Sequence, residues 1–139
     1  MEIAVSAGAD AVGFIVGTTH KSEDSISTSE AREMIQSLPP FVSGVVVTHL
    51  TDADDLIRLV EETGCSVLQI QDTVPVDTLV LLRERFSYLF IIKAVHVLDE
   101  SAVYVAKEFE PFADAILLDS RTADRLGGTG ITHDWSISA

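Results

Sequence analysis

Apolar positions along this chain alternate between two patterns. Short runs rich in Val and Ile, at 11–16, 44–47, 66–70, 89–94 and 115–118, lack regular polar alternation. Such runs predict parallel strands covered on both faces. The segments between them repeat at helical spacing. Residues 29–37 put Ala31, Met34 and Ile35 on one face with Leu38, and 53–62 do the same with Leu56, Ile57, Leu59 and Val60. Thr51 is the expected cap of the second helix, and Asp52, Asp54 and Asp55 suit its positive start. A helix over 75–86 opens on Pro75, tolerated in a first turn, and one over 99–109 is stopped by Pro111. Gly8 and Gly64 each stand where a helix gives way to a strand, the place a left-handed stop requires.

Helix and strand therefore alternate five times, followed by a loop and Asp134-Trp135-Ser136-Ile137, expected to begin a further helix. Ala9-Asp10-Ala11-Val12 returns as Ala113-Asp114-Ala115-Ile116, a hint of repeated units. Two α/β architectures accommodate such a series: a doubly wound open sheet and part of a (βα)8 barrel. Periodicity does not choose between them. The first predicted helix has no strand before it and the last is cut short. On that ground the expectation is a truncated piece of a (βα)8 TIM barrel, about five strands (β2–β6 of eight), with 1–139 as a single partial domain.

Composition narrows the function classes. A chain of 139 residues suits one domain. No apolar run reaches the roughly 18 residues of a membrane span. Met1-Glu2-Ile3-Ala4 has no basic start of a signal peptide, and the lone Cys65 permits no internal disulfide, so a cytoplasmic location is expected. The formal charge is −13, from 22 acids against 9 Lys and Arg. That field argues against nucleic acid and membrane partners. A phosphate-bearing substrate would need a local positive site, or one outside this sequence.

Three motifs carry a family resemblance. They are Ser6-Ala7-Gly8-Ala9-Asp10-Ala11-Val12-Gly13-Phe14-Ile15, Leu38-Pro39-Pro40-Phe41-Val42, and Leu117-Leu118-Asp119-Ser120 followed by Gly127-Gly128-Thr129-Gly130 and Asp134-Trp135-Ser136. In this order and spacing the chain resembles phosphoribosylanthranilate isomerase of tryptophan biosynthesis, from helix 1 to the start of helix 6. The resemblance implies an aldose–ketose isomerase acting on N-(5-phosphoribosyl)anthranilate, without metal or organic cofactor. Its Amadori rearrangement needs an acid at the ring oxygen and a base at C2. The partner implied is this small-molecule phosphoribosyl substrate, and the full-length protein is expected to be a monomer or homodimer.

Asp119 matches the family's general acid. It follows an apolar strand, which would bring its carboxyl to the C-terminal rim where barrel sites lie; the bland alternative is a capping or loop aspartate. The family's base is a cysteine on strand 1, which has no counterpart here. Cys65 stands between a helix stop and a strand, at the opposite face, and is expected in the core. The family's phosphate loops, after strands 7 and 8, likewise have no counterpart.

Substrate-binding residues are expected at Lys21, Gln71, Lys93, Gly127, Gly128 and Gly130, within a pocket that also draws on 18–27. The glycines suit a loop closing over substrate; Ile131 stands where a phosphate-loop lysine would be. For Lys93 a structural lysine reaching along apolar surface is an equal reading.

The rim departs from the family pattern. An acid, Asp24, stands where an arginine usually meets the anthranilate carboxylate, leaving Lys21 as the nearby cation. Thr48-His49 stands where an asparagine is common, and Gln69-Ile70-Gln71-Asp72 replaces Gln-Leu-His-Gly. His20, His49, His96 and His133 all fall in segments after strands or in the last loop, but without tight ligand spacing, so solvated loop histidines are expected and no metal site. These departures keep two alternatives open: a divergent barrel that binds a metabolite without turnover, and an isomerase of another phosphoribosyl compound. Taken alone, the chain is expected to be inactive and prone to self-association.

Overall fold

The computed structural model describes residues 1–19, 24–120 and 134–137. In chain order these form α1 (Glu2–Ser6), β1 (Ala11–Ile15), α2 (Thr28–Gln36), β2 (Ser43–Thr48), α3 (Ala53–Thr63), β3 (Val67–Ile70), α4 (Val76–Arg85), β4 (Phe90–Val97), α5 (Ser101–Phe109) and β5 (Ala115–Ser120). A 3-10 turn at Trp135–Ile137 stands where a further helix was expected.

The five strands form one parallel sheet in the order β1-β2-β3-β4-β5. A doubly wound sheet would reverse its strand order at a switch point. These described strands never do, so they form a half-barrel. Right-handed crossovers between sequential neighbours put the helices on one side. Phe14, Val46, Leu68, Ile70 and Ile91 meet Ala31, Leu56, Leu59, Val60, Leu79, Leu82 and Phe109 there in one core cluster, which includes Cys65 as expected. Strand alternation sends Ile15, Val47, Gln69, Ile92, His96 and Asp119 to the opposite, open face.

Local chemistry explains the element ends. Ser27 caps α2 with a reciprocal capping box to Glu30. Asp52, not Thr51, caps α3: its carboxylate accepts from the backbone N–H groups of Asp54 and Asp55. A carboxylate at the helix start also meets the positive end of the dipole, which favours it over a hydroxyl one residue earlier. Gly64 ends α3 at φ 66°, a left-handed conformation that costs glycine nothing. Gly44 is glycine for space: a Cβ there would lie 2.9 Å from Ile35 and 3.1 Å from Leu38. At the N-terminal edge, Asp114 accepts from the Ile91 N–H at 2.7 Å and pairs with Arg83, which also donates to the carbonyls of Phe112 and Leu89. No described helix is long and apolar enough to cross a membrane.

Candidate active site

The C-terminal ends of β2 to β5 bring a set of polar side chains to one rim. Strands β4 and β5 run further than their apolar runs, to Val97 and Ser120, so Asp119 lies inside β5 rather than beyond it. The parallel register sets it opposite His96. Gln71 follows β3, and its backbone N–H donates to the Thr48 carbonyl at 2.9 Å, which fixes the chain beside β2.

These positions make a directed chain of hydrogen bonds. The Gln69 amide nitrogen donates to Gln71 Oε1 at 2.9 Å, and Gln71 Nε2 donates to Asp119 Oδ2 at 2.8 Å. His96 Nδ1 lies 3.3 Å from the same Oδ2. A second imidazole–carboxylate pair adjoins them, His49 Nδ1 to Asp72 Oδ2 at 3.1 Å. Neither histidine is a solvated loop residue: their side chains are 14% and 16% exposed. Under the rim, the buried Thr48 hydroxyl donates to the Gly17 carbonyl and accepts from the Leu50 N–H.

Of the residues expected at the site, the structure brings together Asp119 and Gln71. Lys93 stands apart from them. Its place in β4 sends it to the helix side, where its ammonium lies 5.3 Å from the Phe109 ring centre and donates to the carbonyls of Ile70 and Ala94. Burial pushes the Lys93 ammonium down to about 8, with the Asp72 carboxylate opposing that shift. Lys21, Gly127, Gly128 and Gly130 lie outside the described residues, as do His20 and His133. Asp24 is exposed. Sequence reasoning missed His96 as a partner of Asp119. The available signal was Val95-His96-Val97, where strand alternation continues past the run ending at 94. Among the described residues, no three His, Cys, Asp or Glu side chains gather as a metal site.

Comparison with known proteins bears on this geometry. No family model matches the chain. A curated relative from Methanosarcina mazei, N-(5'-phosphoribosyl)anthranilate isomerase 2, is 40% identical over 138 residues, covering 98% of this chain and 61% of that protein. The curated relatives compared with this chain bear the name phosphoribosylanthranilate isomerase. Another, from Methanothrix thermoacetophila, is 36% identical over all of this chain and 64% of its own length. The chain thus spans about three fifths of the curated relatives it matches. Among solved structures, phosphoribosylanthranilate isomerase from Thermotoga maritima superposes with TM-score 0.79 at 33% identity, over 98% of this chain and 62% of that one. A structure of such an isomerase in complex with reduced 1-(o-carboxyphenylamino)-1-deoxyribulose 5-phosphate matches at TM-score 0.71 and 32% identity, over 86% of this chain and 58% of its own. The described half-barrel is therefore shared with phosphoribosylanthranilate isomerases.

Proposed function

We propose that this chain carries the acid side of a phosphoribosylanthranilate isomerase site, in a protein that converts N-(5-phosphoribosyl)anthranilate to 1-(o-carboxyphenylamino)-1-deoxyribulose 5-phosphate for tryptophan synthesis. The observation that carries the reading is the Asp119 carboxyl, held by Gln71 at the strand ends of a half-barrel shared with these isomerases. Asp119 gives its proton to the furanose ring oxygen as the C1–O bond breaks, and the substrate nitrogen supplies the electron pair that forms the C1 iminium. A base then takes the C2 proton, and the C2–H electrons neutralise the iminium to give an enolamine, which tautomerises to the ketone. In the family resemblance that base is a cysteine on a strand with no counterpart here, and Cys65, wholly buried in the core, is not placed to replace it. The phosphate is assigned to the remaining two fifths of the relatives' length.

The test is a chimera in which this chain replaces its matching segment of the Methanosarcina mazei relative. The chimera should bind the reduced ribulose phosphate analogue and turn over phosphoribosylanthranilate. Asp119→Asn should lower kcat by about 10²- to 10⁴-fold, the range of a lost general acid. A folded chimera that binds the analogue without turnover would favour the second reading, a metabolite-binding barrel, which the Gln71-Asp72 departure motivates.

A further inference from the structure

We infer that His96 is a positioning residue for Asp119: with Gln71 it engages Oδ2, which leaves Oδ1 as the oxygen that carries the acid proton. The role in catalysis rests on the isomerase reading above; the contact itself does not. Parallel pairing dictates the meeting, because His96 and Asp119 are register partners on the same face of neighbouring strands, about 4.8 Å apart. The neighbours of His96 along the open face of β4 and β5 are Ile92, Ala94 and Leu117, and an apolar side chain would fill the position. His96 Nδ1 lies 3.3 Å from Asp119 Oδ2, a close imidazole–carboxylate contact without hydrogen-bond geometry, while Gln71 donates to the same oxygen at 2.8 Å from the far side of β4.

This arrangement has a chemical consequence. An acid acts when its proton points along one direction, towards the atom it protonates. The Gln71 hydrogen bond and the His96 contact both fall on Oδ2, which favours one orientation of the carboxyl. Once the proton has moved to the ring oxygen, the new carboxylate charge lies against the Gln71 amide and the His96 ring. The charged or titratable groups recorded around His96 include Asp119 from β5 and Lys93 from its own strand. From β3 come the neutral Gln69 and Gln71. The cavity that His96 and Lys93 line is otherwise built from uncharged residues, among them Thr73, Ser101 and Phe109.

Two measurements test the assignment. In nitrogen-edited NMR of the chimera, Asp119→Asn should move the His96 ring resonances and leave those of His49 in place. Unmoved His96 resonances would overturn the contact. In the chimera, His96→Asn keeps a donor where Nδ1 stands, and His96→Gln moves it to the place of Nε2. His96→Asn should retain kcat, and His96→Gln should lower it about tenfold or more with KM unchanged. A purely space-filling residue would not separate the two, so equal kcat values would overturn the positioning role. An inactive unmodified chimera would instead count against the isomerase reading, and the NMR arm would then decide the His96–Asp119 contact alone.

Discussion

Asp119 and Lys93 illustrate what one strand position decides. An apolar run followed by Asp was legible as a strand end bearing a carboxyl, and Asp119 does stand at the rim. The string Ile91-Ile92-Lys93-Ala94 gives no parity, because which face a residue takes depends on the phase of the strand against the helices. That phase turns Lys93 to the buried helix side of the sheet, away from Asp119 and Gln71. A stability prediction follows from its ammonium, which burial pushes down to about 8, against 10.5 ordinarily. Below pH 8 both folded and unfolded chains hold the proton, and the cost of the buried charge is fully present. Between about 8 and 10.4 the unfolded chain binds more protons, so stability contributed by this group rises with pH. Lys93→Met should therefore raise stability at pH 7 by about 1–3 kcal/mol and flatten that rise, measured as the difference in urea midpoints between wild type and variant at pH 7 and 10. A variant less stable at pH 7 would contradict this.

At the scale of elements, hydrophobic spacing located all four longer helices and all five strands to within a few residues. Ends were less legible, for physical reasons. Thr51 and Asp52 are both competent caps, and the choice lies in which side chain reaches the second and third N–H groups. Strands β4 and β5 extend into polar residues because backbone pairing continues to Val97 and Ser120, which an apolar count cannot see. Two variants probe these joints. Gly44→Ala forces a methyl group against the Ile35 and Leu38 side chains, so these or α2 itself must give way, at a cost of about 1–3 kcal/mol in chemical denaturation. Asp114→Ala leaves the Ile91 N–H and the Arg83 guanidinium without their shared carboxylate, and should cost about 1–3 kcal/mol. A loss below about 0.5 kcal/mol at either position would contradict the packing described.

At the scale of the whole molecule, sequential strand order is what separates the half-barrel from a doubly wound sheet. Sequence periodicity could not show it, because both architectures alternate helix and strand. The described sheet leaves β1 and β5 each with one neighbour and its concave face open, with Phe90 exposed on that face and Leu118 exposed on the helix side of β5. Unpaired edges and open apolar faces favour association. The 139-residue chain should therefore sediment above its 15.0 kDa mass; a monodisperse monomer would contradict this. The charge of −13 limits but does not abolish that tendency.

On the reading proposed above, this half-barrel supplies Asp119 to an isomerase site. The most direct test of that reading is turnover of phosphoribosylanthranilate by the Methanosarcina mazei chimera, assayed beside its Asp119→Asn variant. The account predicts turnover by the chimera and its collapse in the variant; a folded chimera without turnover, or a variant as active as its parent, would contradict it.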